Sequence, residues 1–169
     1  MMRISKLLCK SFALLSLLFI ACSNTDDIQQ KVTEVEASQL KVRDPFIFYD
    51  VDTDYYYLCV NGTLKVKSYK SKDLLTWQEN GYSFLPSAGF WGKEDFWAPD
   101  LYKYKDKFYL FITLSAPNIK RGTSVLASDR VMGTFQPLVN KAVTPQEWTC
   151  LDGSLYVDQE GTPWLFLLS

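Results

Sequence analysis

The chain has 169 residues, with 18 basic and 19 acidic side chains, no histidine, 47% apolar residues and a formal charge of -1. That balance leaves no basic excess for neutralising phosphates, which excludes nucleic acid as a partner, and the apolar content excludes disorder across the whole chain. Without histidine there is no Ser-His-Asp or Cys-His nucleophile and no imidazole metal ligand, so acid/base chemistry near neutral pH falls to carboxylates, Cys, Lys or Tyr.

Residues 1–21 carry Arg3, Lys6 and Lys10, no acidic residue, and the apolar run Phe12 to Ala21 broken only by Ser16. This pattern predicts an export signal, too short to span a bilayer. It ends Phe19-Ile20-Ala21-Cys22, which resembles the lipobox of bacterial lipoproteins. Lipidation of Cys22 would tether the protein to a membrane face; a plain signal peptide that happens to contain this cysteine is the alternative. The polar stretch 22–41 has no apolar period and is expected to be a flexible tether. Asp26-Asp27 fits either an outer-surface sorting signal or an ordinary solvated linker, so the expected location is the outer membrane or cell surface, with the periplasmic side as the alternative. Removing residues 1–21 brings the charge to about -4, a mildly acidic exported protein.

From residue 42 onward the pattern is one of short strands rich in Tyr, Phe, Val and Leu, punctuated by Gly, Asn, Asp and Pro. Three segments align: Asp44-Pro45-Phe46-Ile47-Phe48-Tyr49, Ala98-Pro99-Asp100-Leu101-Tyr102-Lys103 and Asp152-Gly153-Ser154-Leu155-Tyr156-Val157, each starting 54 residues after the last. A second aromatic strand follows each, over Tyr55 to Val60, Lys107 to Thr113 and Pro163 to Leu168. A third is expected to open at Gly62-Thr63 and Gly122-Thr123, and a fourth to end in Thr76-Trp77 or Thr134-Phe135. Four antiparallel strands repeated at this length predict an all-β propeller blade, with a β-sandwich as the competing architecture. Cys59 and Cys150 lie in apolar surroundings and are expected as buried free thiols or as one bridge.

In a propeller the residues that open the innermost strands converge at one mouth of the central channel. Here they are Asp44, Ala98-Pro99-Asp100 and Asp152, with Phe96 and Trp97 alongside. Carboxylates amid aromatic faces suit glycoside hydrolysis, where one carboxylate activates water, a protonated one donates to the leaving oxygen, and aromatic rings hold the sugar. An Asp beside Pro or Gly is equally a turn residue that starts a strand.

Val42-Arg43-Asp44-Pro45-Phe46-Ile47, Phe96-Trp97-Ala98-Pro99-Asp100-Leu101-Tyr102-Lys103-Tyr104 and Leu151-Asp152-Gly153-Ser154-Leu155-Tyr156-Val157-Asp158 resemble the ordered motifs of glycoside hydrolase family 43. Ser71-Lys72-Asp73-Leu74-Leu75-Thr76-Trp77 resembles the end of that family's first blade. The resemblance covers residues 42–169 and implies a five-bladed propeller acting by inversion on arabinose-, xylose- or galactose-containing glycans. It implies Asp44 as the general base, Asp152 as the residue that orients the general acid and raises its pKa, Phe96 and Trp97 as sugar-binding wall, and Asp100 as a polar neighbour. It implies no cofactor and, from these residues, no metal site. Gly153 stands where the family usually has Pro. The family's general acid is a Glu opening a later blade, and none of Glu94, Glu147 and Glu160 opens an inner strand after Asp152. Five blades of this length need about 270 residues, so an incomplete propeller of about two and a half blades is expected. A glycan-binding lipoprotein without turnover and a non-functional gene fragment are the competing functions.

Overall fold

Residues 33–169 are described by a computed structural model as three antiparallel sheets laid down in chain order. The first contains β1 (Glu34–Glu36), β2 (Phe46–Asp50), β3 (Tyr55–Gly62), β4 (Lys65–Ser71) and β5 (Thr76–Phe84), in the spatial order β1-β5-β4-β3-β2. The second contains β6 (Glu94–Tyr104), β7 (Lys107–Ala116), β8 (Ile119–Ser128) and β9 (Gln136–Pro137), in sequence order. The third is the pair β10 (Leu151–Val157) and β11 (Pro163–Leu168). This is the predicted all-β meander, an unclosed part of a propeller rather than a sandwich. The signal, Cys22 and the first part of the expected tether lie outside the described residues.

The hairpins follow from local backbone chemistry. The turns after β2, β6 and β10 carry a left-handed residue, Asp54, Lys105 and Gly161, and those after β3 and β7 carry Leu64 and Asn118. The turn into β5 is organised by two side chains. Ser71 Oγ accepts the amides of Asp73 and Leu74, and Asp73 Oδ1 accepts those of Leu75 and Thr76 at 2.8 and 2.9 Å. The Thr76 and Leu75 amides hold the Asp73 carboxyl below its ordinary range. Here the strand prediction needs correction: Thr76-Trp77 opens β5, and Thr134-Phe135 precedes the two-residue β9. Likewise Gly62 closes β3, because the left-handed Leu64 makes the turn there, and Gly122-Thr123 lies inside β8. Gly122 serves close packing, since a Cβ would stand 2.5 Å from Thr144 Oγ1 and 2.7 Å from Ala142 Cβ.

Strand alternation feeds two apolar clusters. Tyr57 and Cys59 of β3 face Phe84, Phe96, Leu110 and Leu114 between the first two sheets, while Leu58 and Val60 face Tyr69 and Trp77 on the other side. Leu40 and Val42 pack on that second cluster. The tether expectation is therefore wrong for residues 33–41. β1 pairs with β5, the Ala37 amide donates to Leu75 O at 2.8 Å, and Ala37–Gln39 forms a 3-10 turn, so this segment closes the outer edge of the first sheet. Cys59 and Cys150 are buried free thiols, and burial pushes the Cys59 thiol up to about 12.

Candidate active site

The three repeat openings share one backbone feature. Asp44, Ala98 and Asp152 all adopt a left-handed conformation, with φ of 52°, 42° and 49°. Two of the three are Asp, which tolerates this region better than most residues. Each opens an inner strand, β2, β6 or β10, although β6 also extends back through a bulge to Glu94.

At the first opening Asp44 is solvent-exposed, and its Oδ2 lies 3.4 Å from Arg43 Nε. The Arg43 guanidinium in turn sits 5.8 Å from the centre of the Trp97 ring, so Asp44 and Trp97 border the same surface. A second guanidinium, Arg121 of β8, lies 4.6 Å from that ring. Arg121 Nε donates to Asp95 Oδ2 at 2.8 Å, and Ser115 Oγ donates to the same oxygen at 2.7 Å. Burial works against the Asp95 carboxylate, but the Ser115 and Arg121 hydrogen bonds outweigh it and hold the group below its ordinary range. The indole of Trp97 is thus fixed by an Arg121–Asp95–Ser115 chain. A cleft of about 420 Å3 lies beside it, lined by Asn61–Leu64 and Asp95–Trp97.

Asp100 and Asp152 form the acidic part. Burial foremost, with the charge of Asp152 adding to it, pushes the Asp100 carboxyl up to about 6 against a 3.1 Å hydrogen bond donated by the Tyr102 hydroxyl. The backbone N–H of Asp152 donates to Thr113 Oγ1 of β7 at 3.0 Å, which ties the third sheet's opening to the second sheet. Gly153 finds its reason here. A Cβ at this position would overlap Thr123 Oγ1 and stand 2.5 Å from its Cγ2, so neither Ala nor Pro fits beside Thr123.

One expected site residue moves out of the site. Phe96 is 3% exposed and stacks on Phe84 at 6.3 Å within the core, so its ring has no face for a sugar, and Trp97 is the member of the pair that borders the cleft. Neighbouring strand residues point to opposite faces, so Phe96 in the core leaves Trp97 on the other face. Arg121 and Asp95 were not singled out by sequence, because nothing local links positions 26 apart. Arg43, by contrast, was visible beside Asp44. Among the described residues no three His, Cys, Asp or Glu side chains gather as a metal site.

The chain is similar to several glycoside hydrolases. An endo-arabinase from Bacteroides thetaiotaomicron is 56% identical to this chain, with a TM-score of 0.77 over 79% of this chain and 47% of that one. An endo-1,4-beta-xylanase from the same organism is 28% identical, with a TM-score of 0.61 over 76% of this chain and 43% of its own. The extracellular exo-alpha-(1->5)-L-arabinofuranosidase ArbA of Cellvibrio japonicus is 25% identical over 145 residues, 76% of this chain and 41% of that protein. The chain therefore spans less than half the length of these relatives. The family model for glycosyl hydrolases family 43 matches residues 37–169, and with the repeat, the paired Asp openings and Trp97 in place, the chain belongs to that family.

Proposed function

We propose that these residues form the base side of an inverting glycoside hydrolase site acting on arabinose-containing chains, with xylose- and galactofuranose-containing glycans as the wider substrate class. Asp44 deprotonates the attacking water. Asp152 sets the protonation of neighbouring carboxyl groups, Trp97 supports a sugar ring, and Asp100 is a polar neighbour. The observation that carries this reading is the surface that exposed Asp44 shares with the Trp97 ring, with Arg43 between them, together with the effect of the Asp152 charge on Asp100. The likeness to an endo-arabinase supports the choice of sugar. Inversion requires a protonated acid about 6.5–9.5 Å from the base, across the scissile bond. Among the described residues no Glu opens an inner strand after Asp152, so the reading assigns to them the base and its modulator only.

The test is hydrolysis of linear arabinan by this chain alone and joined in frame to the later half of the Bacteroides endo-arabinase. Turnover by the joined chain is expected to fall by about 100-fold or more in Asp44→Asn, the scale of lost base catalysis. A joined chain inactive on arabinan, arabinoxylan and aryl galactofuranosides overturns the reading. Oligosaccharide binding without turnover by either form favours glycan capture, the second reading.

We also propose anchoring to a membrane face through acylated Cys22, which rests on the signal-like run ending at that cysteine. Cys22→Ser is expected to release the exported protein from the membrane fraction, and unchanged fractionation would refute the anchor.

A further inference from the structure

A second cleft lies between the first two sheets at the opposite end of their inner strands. β2 runs from near Asp44 to Asp50, about 20 Å of extended chain, so this cleft is remote from the Asp44–Trp97 surface. Its volume is about 630 Å3, within the range of small-ligand pockets, about 300–1,000 Å3.

We propose that this cleft is a separate binding site for a neutral saccharide segment. The proposal rests on the glycan reading above for the class of ligand, and on its own residues for the place. Asp50 is only 3% exposed. Its Oδ2 accepts the Thr53 hydroxyl at 2.9 Å, and the Thr53 hydroxyl also bonds the Tyr57 hydroxyl at 2.9 Å. Asp50 Oδ1 has no hydrogen-bond partner among the described residues. The Lys103 ammonium stands 3.7 Å from it, beyond hydrogen-bond reach, and is engaged closely by Asp52. A buried acceptor left in this state costs about 1–3 kcal/mol, and a donor that fills it recovers that cost.

The rest of the lining selects among donors. Asp50, Asp52, Asp106 and Asp129 are nearly balanced by Lys70, Lys103 and Arg130, so the cleft has no strong net field for an anion. A bare cation would meet the Lys103 ammonium that is ion-paired with Asp50 Oδ1. Phe108, Val131 and Met132 supply an apolar surface next to these polar groups. Hydroxyl donors combined with an apolar C–H face are the chemistry of a neutral sugar ring.

Met132 is the only methionine after residue 2 and lies in this lining, so its methyl group is a built-in reporter. The full chain, labelled with methyl-13C methionine and with 15N tryptophan, is titrated with linear arabinohexaose up to roughly 10 mM, a range that covers millimolar affinities. Met132→Leu assigns the methyl resonance. A saturable shift of the Met132 methyl is expected in the wild-type chain and also in Trp97→Ala, with affinity weakened about tenfold in Lys70→Ala/Asn80→Ala. An unmoved Met132 methyl, or a shift that disappears in Trp97→Ala, overturns the second site. A shift unaltered in the Lys70/Asn80 variant also overturns this placement. Because the Trp97 indole reports separately, an indole response with a silent Met132 defeats this proposal alone. A Met132 response with a silent indole counts instead against the sugar role of Trp97.

Discussion

The second and third sheets begin with the same motif and differ in how they are buried. In β7 and β8, Leu110, Leu114 and Leu126 are wholly buried. The matching aromatic strand β11 leaves Trp164, Phe166 and Leu168 more than half exposed. Hydrophobic character was legible in both strands, yet burial requires a facing layer, and β7 has the first sheet's aromatic residues against it. Among the described residues the deepest burial lies between the first two sheets, while the third is held at its opening through the Asp152 amide, Gly153 and the Cys150 amide on Arg121 O, and at its turn by the Tyr104 hydroxyl on Gly161 O.

The sharpest way to break this contrast is a matched pair of truncations. Leu114→Ala is expected to cost about 2–5 kcal/mol in chemical denaturation, and Leu168→Ala less than about 0.5 kcal/mol. Equal losses would place β11 in the folded core. Gly153→Ala probes the close packing of the third sheet's opening on Thr123. It should cost about 1–3 kcal/mol, part of which Thr123→Ala recovers in the double variant. Additive losses would show that Thr123 is not the obstacle.

A smaller effect concerns Asp100, whose native pKa of about 6 lies above the ordinary 3.8. The native state binds this proton more tightly than the unfolded state. Its contribution to stability is complete below about pH 4 and is lost as pH rises through about 6. Asp100→Asn is expected to gain about 1 kcal/mol at pH 7, after allowance for solvent screening of a half-buried group, and nothing at pH 4. Melting temperatures at the two pH values measure this, and a gain independent of pH would refute it. Last is Arg121→Met, which removes a cation from the Trp97 ring, a contact of about 0.5–1 kcal/mol, together with the hydrogen bond to Asp95. Quenching of tryptophan fluorescence by acrylamide should rise as the indole loosens, and unchanged quenching would show that Arg43 and packing suffice.

The repeat, the all-β class and both Asp openings were legible because they rest on local order: turn residues, alternation and a fixed spacing. Edges were less so. Thr76 opens a strand rather than ending one because Asp73 and Ser71 capture the preceding amides, a role their side chains also fill in loops. β1 was hidden because a three-residue Glu-Val-Glu segment gains a strand only by pairing with β5. Phe96 and Trp97 were treated alike as aromatic neighbours, although only the folded sheets determine which ring faces Phe84 and which faces Arg121. The Asp50 cleft had no sequence signal, since its parts come from six strands and three connecting segments.

The left-handed turn at Ala98 has a consequence for how such proteins change over time. A non-glycine residue in this conformation costs about 1–2 kcal/mol, and Ala98 accepts that cost while bearing no functional group. The backbone shape is therefore a demand of the architecture and not of chemistry. Each repeat offers a socket already bent to receive an aspartate, so a carboxylate can be gained or lost at the mouth by single substitution without rebuilding a loop.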